Sequence, residues 1–372
     1  MAGYIMTLDS EESLKECIIT GVYSTRFHEL KWDYWSTPGE GTFADYYSMR
    51  AGDNIFFFIE RKIYGIGELV EIKNDCKYLN YHRADEPRNF TDKEYRTLTP
   101  LMNNGNPNNR CLCVFKPSPY FFTRSVDMDE ALASNPSKFR MLRAMWKVSF
   151  IKIDDEETQA LKDIILKRNE ECISTGKGVY AFTKDTHKHI NELIDNQHFM
   201  NANRLLASCA DGIQINHEMA LEAFLCSSLC KINDYPFGIW DYVSHQVVAS
   251  PFKPIDYMDK MDIFGYKYIP GFKTISKYLV IELKKGIAEE EVVDQIMKYV
   301  DWVNQEYAHG DYSMIEAYVV AFDFTQNVIE KRDKECIRNY VKGYRPSEAS
   351  TWSSVKLIRY EFYDDGIDFI EI

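Results

Sequence analysis

Apolar residues change their spacing part-way along the chain. Up to about residue 153 the segments GDNIFFFIE, KIYGIGELVEI, CLCVFK and WKVSFIKI are aromatic or β-branched and are bounded by Gly, Pro and Asn clusters, the pattern of strands separated by turns. A β-barrel-like domain is expected from them. Helical spacing interrupts the strands at Ser10 to Cys17 and at Glu156 to Lys167, where Leu161, Ile164 and Ile165 recur a turn apart. Residues 170–180 lose periodicity and carry Gly176 and Gly178, which marks an exposed boundary. A helical stretch follows from about Thr186 to Leu206. From His217 the order becomes helix (HEMALEAFLCSSL), strands (IWDYVSHQVVAS and the Asp262 region), strand (KYLVIELK), helix (AEEEVVDQIMKYVDWVNQEY) and strand (MIEAYVVAFDF). A helix from Gln326 to Tyr340 and strands at Val355 to Phe362 and Asp368 to Ile372 complete it. The chain therefore reads as α/β (α+β), with domains at 1–170 and 214–372 and a linking segment at 171–213.

Composition supports two cores, since 372 residues with 45% hydrophobic and 14% aromatic content supply enough apolar surface. No run approaches the roughly 18 apolar residues of a membrane span. The start MAGYIMTLDSEES lacks the basic and apolar regions of a signal peptide. A cytoplasmic protein without membrane contact is expected. Nine scattered cysteines are an odd number and read as reduced packing residues. Cys111-x-Cys113 has no second pair at zinc spacing.

The net charge of −13, from 44 basic and 57 acidic residues, argues against a protein that coats nucleic acid by charge alone. It leaves open a compact site. Basic clusters at Lys138, Arg140, Arg143 and Lys147, and at Lys331, Arg332, Lys334 and Arg338, fit solvated helix faces.

Chemistry concentrates in KYLVIELKKGIAEEEVVDQIMKYVDW. Alternate side chains of a strand share a face, so Glu282 and Lys284 project together while Leu279, Ile281 and Leu283 point the other way. A hard divalent cation takes oxygen ligands, and Asp262 on the preceding strand offers a second carboxylate through a hairpin that contains Pro270 and Gly271. Helix HEMALEAFL adds Glu218 and Glu222 on one face, and Gln295 and Tyr299 lie one turn apart on the later helix. A lone Glu-x-Lys pair has almost no specificity; the combination does.

MDIFG, YLVIELKKG and EEVVDQIMKYVDWV together resemble the nuclease domain of the NucS/EndoMS family, within the PD-(D/E)xK superfamily and its restriction-endonuclease-like fold. The likeness covers about residues 214–372. It implies that Asp262 and Glu282 are metal ligands, with Glu222 the acidic residue of the first helix. Lys284 would be the catalytic lysine, and Gln295 and Tyr299 the helix motif. The long hairpin FGYKYIPGFKTISK blurs whether Asp256, Asp259 or Asp262 is the ligand; Asp262 is favoured. Mg²⁺, with Mn²⁺ as a substitute, would activate water and neutralise the scissile phosphate, while Lys284 stabilises developing charge.

The string TFADYYSMRAGDNIFFFIERKIYGIGELVEI resembles PUA-like modules of the EVE branch, through its Gly52-Asp53 turn and a strand marked by Gly65 and Gly67. WKVSFIKID is similar to their closing strand. Members recognise modified or flipped bases, which requires an aromatic cage. Trp32, Tyr34, Trp35, Phe43, Tyr46 and Tyr47 are available. Trp32 and Trp35 are preferred because polar neighbours suggest a loop, with Tyr46 beside them.

The expected protein is a restriction or defence endonuclease acting on double-stranded DNA, which its first domain selects by a modified base or by sequence. Double-strand cutting implies a homodimer. A mismatch- or structure-specific repair endonuclease is the alternative enzyme. A non-catalytic nucleic-acid-binding protein is the alternative class, against which the Asp262, Glu282 and Lys284 set argues.

Overall fold

The computed structural model describes residues 2–30, 35–103, 105–144, 149–231, 235–250, 259–343, 345–363 and 366–372. Two compact units divide at Met1–Asn201 and Ala202–Ile372, inside the segment expected to link the domains. Both are mixed α/β.

The first unit begins Gly3–Thr7 (β1), Glu11–Thr20 (α1), Val22–Arg26 (β2), Thr37–Ser48 (α2), Asn54–Ile59 (β3), Lys62–Leu69 (β4) and Lys77–Leu79 (β5). Asp92–Thr97 (α3), Asn109–Pro117 (β6), Val126–Asp127 (β7), Met128–Ser134 (α4), Met141–Ala144 (α5) and Phe150–Ile153 (β8) follow. Asp155–Arg168 (α6), Glu170–Thr175 (α7) and Asp185–Leu193 (α8) end it. The sheet runs β2-β6-β4-β3-β1-β8, with β5 on β6 and β7 on β4. It is a half-barrel whose end strands, β2 and β8, do not pair among the described residues. Aromatic side chains bridge them instead, with Tyr23 meeting Phe150 edge-on at 5.6 Å.

Two sequence signals acquire structural reasons here. Asp53 is buried because Oδ1 accepts the Ala2 N–H at 3.1 Å and Oδ2 the Arg50 N–H at 3.1 Å, tying the start of β1 to the turn before β3. Gly67 lies so close to the Phe121 ring that a Cβ would come within 2.6 Å of it. Residues after α7 also belong to this unit, since Ile190 and Ile194 pack on Val22, Tyr78, Leu112 and Val114.

The second unit opens with Ala202–Cys209 (α9), Ala210–Asp211 (β9), Gln214–Ile215 (β10), Glu218–Ser228 (α10) and Tyr242–Val248 (β11). Lys260–Tyr268 (β12), Ile275–Ala288 (β13), Glu291–Glu306 (α11), Ile315–Phe324 (β14) and Gln326–Glu335 (α12) come next. Arg338–Lys342 (β15), Glu348–Trp352 (β16), Val355–Tyr363 (β17) and Gly366–Glu371 (β18) complete it. The six-stranded sheet has the order β11-β12-β13-β14-β17-β18. Strand β13 pairs antiparallel with β12 and parallel with β14. As an inner strand it buries both faces, and Leu279, Val280, Ile281 and Leu283 are each fully covered.

Two elements differ from expectation. The helix from Gln326 stops at Glu335, and β15 forms a two-stranded hairpin with β16. Thr37–Ser48 is helical, with a proline at its first turn, where a missing N–H costs nothing. Part of the expected strand WKVSFIKI, residues 146–148, lies outside the described residues, and β8 starts at Phe150.

Candidate active site

Strand register assembles the acidic site. Extending the His245↔Ile263 and Ile263↔Ile281 pairings by one step sets Gln246, Asp262 and Glu282 in a row across β11, β12 and β13. Residues opposite one another on neighbouring strands share a face. Gln246 Nε2 donates to Asp262 Oδ1 at 3.2 Å and to Glu222 Oε1, from α10, at 2.8 Å. His245 Nδ1 lies 3.0 Å from Glu222 Oε2. Asp262 Oδ2 accepts the Leu283 N–H at 2.8 Å, and Lys284 Nζ donates to Glu282 Oε1 at 2.5 Å.

His245 and Gln246 are adjacent, and adjacent residues of a regular strand face opposite ways. Both nevertheless reach Glu222. Gln246 has a φ of 51°, and this left-handed backbone breaks the alternation, aiming both side chains at one carboxylate.

Three carboxylates thus crowd one ammonium. Glu222 and Glu282 are each 1% exposed. Burial, then the charges of Glu282 and Glu222, push Asp262 well above the usual carboxylate range. Burial also raises Glu222, with His245 and Gln246 pulling back, and raises Glu282 against the pull of Lys284. For Lys284 burial opposes the charge, but Glu282, Asp262 and Glu218 outweigh it and its pKa is raised.

Glu282 Oε2 is buried and no N–H reaches it; the group beside it is the Asp262 carboxyl, which can hydrogen-bond it only by keeping a proton. Two buried carboxyl groups that can pair only by sharing a proton fit a hard cation such as Mg²⁺, which binds through one or two carboxylates and fills its other positions with water or phosphate oxygen. Asp262 and Glu282 would hold it. Glu222 meets His245 on one oxygen and Gln246 on the other, as Asp262 meets Gln246 and the Leu283 N–H, and each of these oxygens keeps a second lone pair.

Gln295 and Tyr299 meet on α11, where Gln295 Nε2 donates to the Tyr299 hydroxyl at 3.0 Å. Burial raises the Tyr299 pKa, the Gln295 bond opposes it, and the charges of Glu282 and Asp262 raise it further, so the phenol keeps its proton. Asp259 is paired with Lys298, and Asp256 lies outside the described residues. His245 and Gln246 were not singled out from sequence. Their signal is a pair of adjacent polar residues inside the apolar run DYVSHQVVAS.

The reader residues need correction. Trp35 is 1% exposed and wedged against Phe27 and Phe43, with ring centroids 6.3 and 5.0 Å away. The Arg110 guanidinium lies 5.0 Å from its ring centroid. Its polar neighbours mislead, because the chain enters α2 at once and seats the ring in the core. Tyr46 is fully buried on α2, and its hydroxyl accepts the Thr25 N–H at 3.1 Å. Neither ring offers a free face as packed. Trp32 and Tyr34 lie outside the described residues. A cavity of about 390 Å³ does open beside β2, lined by Tyr23, Ser24, Thr25, Arg26, Asn109 and Ser149 among others.

The basic clusters are largely paired. Lys138 meets Glu156 and Arg140 meets Asp154. Lys331 meets Asp294, Lys334 meets Glu330, and Arg338 meets Asp301. All nine cysteines are free thiols. No helix among the described residues is long and apolar enough to cross a membrane.

Comparison with known proteins finds no matching family model and no matching curated protein. Among solved structures, a repair endonuclease from Pyrococcus abyssi is 28% identical over 22% of this chain and 32% of its own, with a TM-score of 0.17. This chain thus matches about a third of that protein's length. Rpa0253 from Rhodopseudomonas palustris is 12% identical over 44% of this chain and 92% of its own, at a TM-score of 0.28. A hypothetical protein from Leishmania major is 14% identical over 46% and 96%, at 0.27. At TM-scores this low the likenesses carry no weight for function, which rests on the geometry of the site.

Proposed function

We propose that residues 202–372 form a PD-(D/E)xK nuclease domain of restriction-endonuclease-like fold that hydrolyses phosphodiester bonds in double-stranded DNA with Mg²⁺. Residues 1–201 are proposed to form a PUA-like, EVE-type reader that selects DNA carrying a modified base, in the manner of a restriction system. The observation that carries the first half is the row Gln246, Asp262 and Glu282, with the Lys284 ammonium on Glu282 and the second Glu282 oxygen buried against the Asp262 carboxyl.

Each side chain has work in that chemistry. Asp262 and Glu282 hold the cation, and the Leu283 N–H fixes the Asp262 carboxylate. Bound Mg²⁺ supplies Lewis-acid charge for a phosphoryl oxygen and lowers the pKa of water. Lys284 is about one-third exposed while its partner Glu282 is buried, so its ammonium can meet a phosphate oxygen entering from solvent. Tyr299 remains a neutral donor, oriented by Gln295. Glu222 anchors His245 and Gln246, which close the site from β11. A base is proposed to enter the cavity beside β2 rather than to stack on Trp35 or Tyr46, which are buried.

The test is cleavage of plasmids with and without methyl- or hydroxymethylcytosine in Mg²⁺, with E282Q and K284M proteins as controls. Preferential cutting of modified plasmid is expected, with linear product from a homodimer. Equal cutting of both plasmids refutes the reader half, and cleavage undiminished in both variants refutes the active site.

A further inference from the structure

A second cluster of ligand atoms lies in the first unit, apart from the acidic row. His82 Nε2 is 2.9 Å from Asp195 Oδ2, and His198 Nδ1 is 3.0 Å from Asp195 Oδ1. The two imidazole rings stand edge to face with centroids 4.5 Å apart. One ligand atom from each of the three residues lies within 4.8 Å of the others.

Hydrogen bonding accounts for only part of this arrangement, since His198 Nδ1 is hydrogen-bonded to Asp195 Oδ1 while His82 Nε2 is not hydrogen-bonded. The His198 ring is fully buried. Nε2 faces the Thr99 carbonyl at 3.2 Å, while Nδ1 faces both the Asp195 carboxylate and the Asp195 N–H, the latter at 3.3 Å. With the proton on Nε2 to satisfy Thr99, Nδ1 accepts the Asp195 N–H and turns its lone pair toward a carboxylate oxygen. His82 Nε2 is likewise close to Asp195, yet it is buried and makes no hydrogen bond. Two imidazole nitrogens and a carboxylate oxygen therefore converge on one small region, and one of the nitrogens is left without a hydrogen bond.

We propose that His82, Asp195 and His198 bind a transition-metal dication of the zinc class. Two imidazoles and one carboxylate suit Zn²⁺ or Co²⁺ and are poor ligands for Mg²⁺, which prefers an all-oxygen shell. Asp195 is half exposed, which leaves a side open for a water as fourth ligand. The ion would clamp the turn at Asn196–His198 to the segment after β5, next to the Ile190 and Ile194 side chains that already pack on Tyr78. Its place is structural and independent of the nuclease reading.

The test uses the full chain, stripped with a chelator and held in excess Mg²⁺ so that the acidic site is filled. Zn²⁺ affinity is measured by competition with a chelating indicator, and Co²⁺ spectra report imidazole ligation. Wild type should bind one more equivalent than H82Q or D195N, whose affinity at this site should fall at least about tenfold. E282Q should keep the Zn²⁺ site, which separates this result from failure of the nuclease reading. His82 is partly exposed, so H82Q keeps the fold if H198Q does not. Equal Zn²⁺ stoichiometry and affinity in wild type, H82Q and D195N overturn the proposal, as does Co²⁺ binding without imidazole bands.

Discussion

Glu282→Gln is expected to make the metal-free protein more stable while removing its response to Mg²⁺. The glutamine keeps an oxygen for Lys284 and puts an amide N–H₂ against Asp262, so the contact no longer needs a proton held between two carboxyl groups. Where that proton is lost, a buried acceptor left without a partner costs about 1–3 kcal/mol. Weakening the Lys284 pair subtracts from the gain, but Lys284 is part-exposed and such pairs are worth about 1 kcal/mol or less. The net expectation is about 1–2 kcal/mol of added stability, or about 2–8 °C in the melting temperature of a domain of this size. Calorimetry in EDTA and in Mg²⁺ measures it, following the transition that Mg²⁺ moves. In wild type, Mg²⁺ at about 100 times its Kd should add about 2.7 kcal/mol; in E282Q it should add nothing. A variant that melts below wild type in EDTA, or that Mg²⁺ stabilises as much as wild type, refutes the assignment of that oxygen to a cation.

Lys284→Met should cut plasmid cleavage by at least about 100-fold while Mg²⁺ still raises the melting temperature, since the carboxylates remain; a parallel loss of Mg²⁺ binding would show that Lys284 positions the ligands instead. Glu157 is buried against the Met141 and Leu142 N–H groups, and burial, then the Asp154 charge, pushes its pKa from 4.5 to about 8. A raised folded-state pKa means stability that is full below about pH 4.5 and lost as pH rises through about 8. The first unit should therefore lose about 4 kcal/mol between those limits, and E157Q should flatten the profile in denaturant titrations. An unchanged slope in E157Q would show that Glu157 is not the group responsible. A Cβ on Gly265 would come within 2.6 Å of the Tyr242 carbonyl oxygen, so G265A should cost about 1–3 kcal/mol and move β11 away from Asp262. Urea midpoints and cleavage rates at wild-type levels would count against that close packing.

What sequence could show depended on how local each cause was. Strand β13 was legible because an inner strand must be apolar on both faces, which makes Glu282 and Lys284 conspicuous at the end of YLVI. Hairpin length left Asp256, Asp259 and Asp262 open, and it is the strand register that sets Asp262 opposite Glu282. The part played by His245 and Gln246 was not legible, since it rests on one left-handed residue in a strand, and glutamine carries no mark of that conformation. Helix α2 was hidden by Pro38, Gly39 and Gly41, which lower helix propensity; its tertiary setting overrides them, and Trp35 is buried as a result. The turn after α12 was missed because Ile337 to Lys342 keep a composition that a helix could also carry. The His82, Asp195 and His198 cluster joins residues more than a hundred positions apart, and no short motif announces it.

The kink at Gln246 has a bearing on how the sheet meets other chains. Strand β11 is the last strand on its side of the six-stranded sheet among the described residues, and a terminal strand offers a row of backbone donors and acceptors on which a foreign strand can grow. A left-handed residue turns its peptide out of that row, so an incoming strand meets a gap midway along β11 and cannot continue its ladder. The distortion that turns His245 and Gln246 onto Glu222 therefore also discourages edge-to-edge aggregation, and straightening β11 would expose the chain to it at the same time as it dismantled one wall of the acidic site.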